Sequence, residues 1–303
     1  MNVIKQILAI VSNQKEFVGM IGNPIANRFG LHIFRILLSD GICRIRTLPF
    51  FFLERVARQS LAKDGIVIIE NFLEDAEFRQ IKAEVYQQLA ALPPALDNTE
   101  LGFGKKMAHE YGFDRYDGGT LNRFARVADD SATCRFLTKN PRLSRLTLAL
   151  FGLRNRPTKY FTYELRHGDE STNPDIQKQV HKDTFFHTYK LWYFVDAVTD
   201  DQGPFAYSLG SQRSTFKSLS WEYQMSCLVS TMPSLNRGGS FRASNADLQH
   251  MNYPLPCAQR LPANTLVIAD TKGFHCRGNG LTGTCRIGIY ANFRPLAFLP
   301  FFH

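Results

Sequence analysis

Five short apolar stretches crowd the C-terminal half of the chain: 158–165 (TKYFTYEL), 190–198 (KLWYFVDAV), 204–209 (PFAYSL), 264–270 (NTLVIAD) and 285–293 (CRIGIYANF). They are rich in β-branched and aromatic residues and are separated by Gly- and Asp-rich turns, so each reads as a strand. A helical stretch around SLSWEYQMSCL interrupts them, yet strands and helices do not alternate regularly. That order excludes a doubly wound parallel sheet and points to a mainly β, α+β chain built on a jelly-roll barrel, with a site in the barrel mouth.

Upstream, 65–73 (GIVIIENFL) reads as a strand, and the following segment as a helix with Phe78, Ile81, Val85 and Leu89 at spacings of three and four. RLSRLTLALFG is a helix stopped by Gly152. Residues 93–130, rich in Pro, Gly and Asp, read as loop and carry Lys105, Lys106, His109, Arg123 and Arg126. Residues 1–63 read as short amphipathic helices joined at Gly22-Asn23-Pro24 and Ser39-Asp40-Gly41. The expected division is a helical extension, 1–63, and a barrel domain, 64–303.

Charge is uneven. The chain carries a formal net charge of +9, and residues 1–63 hold nine Lys or Arg against three acids, a balance of +6. No nucleic-acid motif accompanies the basic residues, so nucleic acid is not expected as a partner. The extension has two open readings. It is an interfacial segment meeting the anionic inner face of a membrane, or a set of ordinary helices packed on the barrel with their arginines in water. No run of about 18 apolar residues occurs, and Lys5 and Gln6 interrupt the amino-terminal apolar run. A cytoplasmic protein is therefore expected. Six cysteines lie scattered without a CxxC pair, which suits reduced core thiols rather than a zinc knuckle or disulfide scaffold.

The chemistry gathers at His181-Lys182-Asp183, just before an apolar strand. In extended chain, residues i and i+2 point the same way, so His181 and Asp183 share a side and Lys182 faces away. His275, just after the strand NTLVIAD, offers a third donor. Two imidazoles and a carboxylate make the facial triad suited to non-haem Fe(II), with positions left open for other ligands. Eleven residues on, Arg286 shares one face of its strand with Gly288, Tyr290 and Asn292. An arginine on an inward polar face suits a bound carboxylate, with the glycine leaving room. His187 is assigned no metal role and reads as a supporting or surface histidine.

HKDTF, then KLWYFVDAVTDDQGPFAYSLGSQR, then NTLVIADTKGFHCRG and CRIGIYANFRP together resemble the phytanoyl-CoA dioxygenase family of Fe(II)- and 2-oxoglutarate-dependent oxygenases. The resemblance implies a double-stranded β-helix of jelly-roll or cupin-like form, with His181, Asp183 and His275 as iron ligands. Arg286 would hold the distal carboxylate of 2-oxoglutarate and Trp192 would line its pocket, with O2 as the second co-substrate. Where the family usually has PGSH, this chain has Leu209-Gly210-Ser211-Gln212, and Arg277 stands where some members carry a small hydroxyl residue. The implied activity is hydroxylation of an unactivated C–H bond in a small-molecule, lipid or glycan substrate, releasing succinate and CO2. The loop cations Lys105, Lys106, Arg123 and Arg126 are candidates for an anionic group on that substrate. A jelly-roll binding module with a vestigial or zinc-filled triad is the alternative, and Arg286 speaks against it because a zinc site needs no such residue. The carboxylate of Asp183 speaks against halogenation.

Overall fold

The computed structural model describes residues 8–96, 106–152, 157–232, 239 and 241–300. Eight strands form one antiparallel sheet in the order β1-β9-β6-β11-β5-β4-β3-β2. The strands are β1 (Ile66–Ile69), β2 (Lys106–His109), β3 (Gly112–Asp117), β4 (Thr120–Ala125), β5 (Lys159–His167), β6 (Tyr189–Phe194), β9 (Thr265–Asp270) and β11 (Cys285–Phe293). A second sheet of three, ordered β10-β7-β8, is made by β7 (Phe205–Tyr207), β8 (Cys257–Ala258) and β10 (His275–Arg277). The two sheets enclose the jelly-roll interior, where Trp192 of β6 meets Phe205 of β7 with ring centroids 4.5 Å apart.

The central strands are largely buried on both faces because both are covered. On one face of β11, Ile287, Ile289, Ala291 and Phe293 join Leu191, Tyr193, Leu266 and Ile268 in a core capped by helices. Those helices are α4 (Asp75–Ala90), α5 (Ala132–Lys139) and α6 (Pro141–Phe151), contributing Ile81, Val85, Leu89, Phe136 and Leu150 among others. Helix α6 ends at Gly152 in the left-handed conformation, φ 68°, as its sequence predicts. The opposite faces of β6, β9 and β11 turn into the barrel.

Two expectations are corrected. Residues 93–130 are not simply loop: 106–125 contain β2, β3 and β4. The unused signal is Gly118-Gly119 between Asp117 and Thr120, which pair across a two-residue hairpin. Gly118 has φ +64°, and a Cβ there would lie 2.4 Å from the Asn173 carbonyl oxygen. The second correction concerns Ser39-Asp40-Gly41, which joins no helices. It lies inside the continuous helix α2 (Leu31–Thr47). Ser39 Oγ donates to the Ile36 carbonyl at 2.8 Å and Asp40 is engaged by Lys272 and His187, so these turn-formers find partners without breaking the helix. The preceding joint is real: α1 (Pro24–Arg28) starts after Asn23, whose side chain accepts from the Ala26 amide at 2.9 Å.

Helix α2 and α3 (Arg55–Asp64) lie against the barrel domain, with α2 packing on α6 and on α7 (Phe216–Thr231). Asn13 donates to the Pro295 carbonyl and accepts from the Ala297 amide, and Lys15 donates to the Asp183 carbonyl at 2.9 Å. Among the described residues, no helix is long and apolar enough to cross a membrane.

Candidate active site

His181 enters the barrel through a two-residue bridge to β10. Its amide donates to the His275 carbonyl at 2.9 Å and its carbonyl accepts from the His275 amide at 2.8 Å, which sets the imidazoles side by side with centroids 4.6 Å apart. The Asp183 amide donates to the Thr271 carbonyl at 2.9 Å, so the HxD segment is stitched at both ends. Each imidazole directs Nδ1 at a backbone carbonyl, His181 to Gln179 at 2.8 Å and His275 to Gly273 at 2.9 Å. Those bonds fix the tautomer and leave both Nε2 atoms for another partner.

The two imidazoles and the Asp183 carboxylate offer ligand atoms that all lie within 4.8 Å of one another, and His275 Nε2 is 3.8 Å from Asp183 Oδ1. Burial, aided by the charge of its neighbour His275, pushes His181 down to about 3, and burial likewise lowers His275. Both are then neutral, the form that ligates a metal. Burial alone would raise Asp183, but the charge and hydrogen bond of the Lys190 ammonium outweigh it and hold the carboxyl well below its usual range. His275 Nε2 is buried without a hydrogen-bond partner among the described residues. An orphaned ring nitrogen facing a carboxylate, on a carbonyl-locked pair of histidines, is the donor set a divalent iron ion fits.

A cavity of about 490 Å³ opens beside the triad and is lined by Trp192, Arg286 and Tyr290 among others. Arg286 is buried, gives one guanidinium nitrogen to the Gly203 carbonyl, and leaves Nε without a partner among the described residues. Gly203 presents that carbonyl from a left-handed turn, φ +60°, where a Cβ would strike His167 at 2.4 Å. Gly288 does something other than leave room for a carboxylate. A Cβ there would sit 2.6 Å from the Tyr193 carbonyl oxygen, so the glycine lets β6 and β11 approach.

The remaining predicted residues separate. Lys105 lies outside the described residues. Lys106 lines the cavity. Arg123 does not serve a substrate there: it is buried, paired with Asp114 at 3.3 Å and bound to the Pro93 carbonyl. Arg126 is exposed and does not line the cavity. Gln212 donates to the carbonyls of Leu61 and Ala62, both at 3.0 Å, capping the end of α3. Arg277 is neutralised by Asp175 and Asp117 and bonds Asn122 at 2.8 Å. His187 is half-buried and bridges Asp270 and Asp40, a supporting position away from the triad. Burial would lower it, but Asp270 outweighs burial and raises it to about 10. That cluster borders a different cavity of about 600 Å³, which contains none of the triad.

Lys190 escaped sequence reasoning. It pairs with Asp183 at 2.7 Å, and its place two residues before Trp192 puts it on the same strand face. Missed too were Arg115, Lys159 and Arg294, which line the cavity with Lys106, and the ring cluster Phe113, Phe124 and Phe161. Phe113 and Phe124 stack at 4.6 Å, and Phe161 meets Phe113 edge-on at 5.3 Å. These residues belong to β2–β5 and to the chain just after β11, and a loop reading of 93–130 hides how they converge.

A sequence model of the phytanoyl-CoA dioxygenase (PhyH) family matches residues 61–226. Among solved structures, the non-heme alpha ketoglutarate dependent epimerase SnoN from nogalamycin biosynthesis is similar at 16% identity and TM-score 0.49, covering 80% of this chain and 85% of that one. HygX from Streptomyces hygroscopicus, with nickel, 2-oxoglutarate and hygromycin B bound, is similar at 11% identity and TM-score 0.46, covering 80% and 88%. AviO1 from Streptomyces viridochromogenes Tue57 gives 13% identity and TM-score 0.47, covering 80% and 94%. No curated protein matches.

Proposed function

The chain belongs to the phytanoyl-CoA dioxygenase family, and from that premise we propose that it is an Fe(II)- and 2-oxoglutarate-dependent hydroxylase of an anionic small molecule. The observation that carries the reading is the convergence of two carbonyl-locked imidazoles and a carboxylate beside a buried arginine with an unpartnered Nε. His181, Asp183 and His275 would hold the iron. Loaded with 2-oxoglutarate and O2, that centre supplies the oxidising chemistry, and substrate C–H becomes C–OH as 2-oxoglutarate is converted to succinate and CO2.

The chain's own residues bind and orient. Arg286 offers a rigid fork to the distal carboxylate of 2-oxoglutarate, with Trp192 forming a wall of the same pocket. Lys190 donates to Asp183 and holds that carboxylate ionised. The cavity lining contains seven Lys or Arg and, besides Asp183, no acid. Lys106, Lys159 and Arg294 have no carboxylate partner among the described residues. Burial, with Lys159 and Arg115 as like-charged neighbours, lowers Lys106, a crowding that a phosphate or carboxylate would relieve. The Phe113, Phe124 and Phe161 rings give an apolar portion of the substrate its surface.

The test is succinate release from 2-oxoglutarate under Fe(II) across a panel of carboxylated and phosphorylated small molecules and their neutral analogues. Turnover confined to anionic members, and lost on His275→Ala, supports the reading. Tight zinc binding with no succinate from any member refutes it in favour of a ligand-binding barrel.

A further inference from the structure

Helix α2 has its polarity reversed. Its buried positions are His32, Arg35, Ile36, Ser39 and Arg46, four of them polar. Its outward side carries Phe34, Leu37 and Ile45, at least half exposed, and runs on into Leu48 at 66%. An ordinary surface helix does the opposite.

The buried polar residues are tied to the rest of the protein. Arg35 donates to the carbonyls of Ile10, Ser12 and Gln14 at 2.8, 3.1 and 2.6 Å and lies 4.2 Å over the Phe185 ring. Arg46 donates to the carbonyls of Leu296 and Leu299, and His32 meets Glu222 at 3.0 Å. These bonds lock the helix. Rolling it to hide Phe34 and Leu37 would pull both guanidiniums out of these bonds and leave the carbonyls of Ile10, Ser12, Gln14, Leu296 and Leu299 without their donors, which costs more than leaving the apolar side chains in water. The outward face is therefore a fixed property of the fold.

Exposed apolar side chains continue along the chain on either side of the helix. Ile25 and Phe29 precede it and Phe51, Phe52 and Val56 follow, all more than half exposed. Half of the exposed large hydrophobic side chains among the described residues fall between 8 and 56, a sixth of the chain. Arg28, Arg44 and Arg55 are exposed among them. The segment's acids are occupied or withdrawn: Asp40 is held by Lys272 and His187, Glu54 pairs with Arg145 at 2.9 Å, and Glu16 is half-buried.

We propose that this face docks the protein on an anionic lipid bilayer, with Phe34, Leu37, Ile45, Leu48, Phe51 and Phe52 entering the headgroup–acyl boundary and Arg28, Arg44 and Arg55 meeting the headgroups. Apolar side chains rimmed by arginine are what an interfacial segment needs. A second copy of the chain would cover the apolar residues too, but it would set arginines against arginines with no free carboxylate to answer them. Charge favours the bilayer. The inference does not rest on the chemistry assigned to the triad.

The experiment is flotation of the full chain with phosphatidylcholine vesicles, with and without phosphatidylglycerol, at low and high salt. Two variants accompany it, Phe34→Ser/Leu37→Ser and Arg28→Glu/Arg44→Glu, each checked for an unchanged circular dichroism spectrum and melting temperature. Binding is expected on the anionic vesicles alone, fading as salt rises. The first variant should lose it, and the second should lose at least the roughly fivefold per removed cation expected at low salt. Should a variant misfold, Phe51→Trp decides: its emission should shift to the blue and resist an aqueous quencher only with anionic vesicles. Absence of flotation at low salt overturns the proposal, as does flotation untouched by both variants. So does a dimer, seen by light scattering, that Phe34→Ser/Leu37→Ser dissociates.

Discussion

Arg286→Ala separates co-substrate recognition from metal binding. Arg286 is 8% exposed, stands on β11, and anchors one nitrogen on the Gly203 carbonyl. Its Nε has no hydrogen-bond partner among the described residues, and the Tyr163 hydroxyl lies beside the guanidinium. Truncating one member of a buried, charge-assisted pair costs on the order of 3–5 kcal/mol, because the other member stays desolvated. At about 1.4 kcal/mol per tenfold, that is a loss of at least a hundredfold in 2-oxoglutarate affinity. Arg286→Lys keeps the charge but loses the planar fork, so an intermediate loss of about tenfold is expected. Calorimetric titration of 2-oxoglutarate into metal-loaded protein reads these values directly, and a parallel metal titration should be unchanged, since Arg286 touches no ligand of the triad. A dissociation constant within threefold of the parent in both variants would refute the carboxylate-clamp assignment.

Alanine at His181, Asp183 or His275 should abolish measurable Fe(II) affinity with the fold retained by circular dichroism. Full affinity in all three would remove the metal assignment. Chelation of the loaded protein should lower its melting temperature by several degrees, since a ligand at about a hundred times its Kd contributes about 2.7 kcal/mol. His187, raised to about 10 by Asp270 against the pull of burial, contributes stability that is complete below pH 6.5 and is lost as pH rises through 10. Urea midpoints measured from pH 6.5 to 10 should thus fall more steeply in the parent than in His187→Gln, by on the order of 1 kcal/mol per pH unit; equal slopes would deny the coupling. Glu222→Leu leaves Lys182 buried without its carboxylate and should cost about 3–5 kcal/mol in urea unfolding, partly restored in the double variant Glu222→Leu/Lys182→Met.

The barrel was readable because its strands carry their burial in their composition. β9 is buried at every position and its middle four residues, LVIA, are all apolar, while β11 alternates, Arg286 and Tyr290 to one side and Ile287 and Ile289 to the other. The HxD segment was readable for the same reason, since extended backbone forces His181 and Asp183 to one side. β2–β4 were harder to read. Their burial alternates imperfectly, their charged residues line a cavity instead of facing water, and the Gly118-Gly119 hairpin was the only local clue. The helix α2 was misread for a further reason. An arginine within an apolar run is ordinarily a solvent-facing charge, and only tertiary contacts with distant carbonyls invert that rule.

The inner side of α2 also explains why the extension cannot be studied by cutting it away. Glu222 takes a proton donor from each side of position 63, His32 from α2 and Lys182 from between two of the triad residues. Lys272, close to His275 in sequence, rests on Asp40, and Lys15 supports the Asp183 carbonyl. Removing residues 1–63 would leave a carboxylate and an ammonium short of partners directly behind the HxD segment and empty the contacts of Arg46 with the carbonyls of Leu296 and Leu299. Loss of metal binding in such a truncation would then report a collapsed support, whatever the outer face does. Substitutions at Phe34, Leu37, Arg28 and Arg44 avoid the confusion, because these side chains are exposed and their removal leaves every buried pair intact.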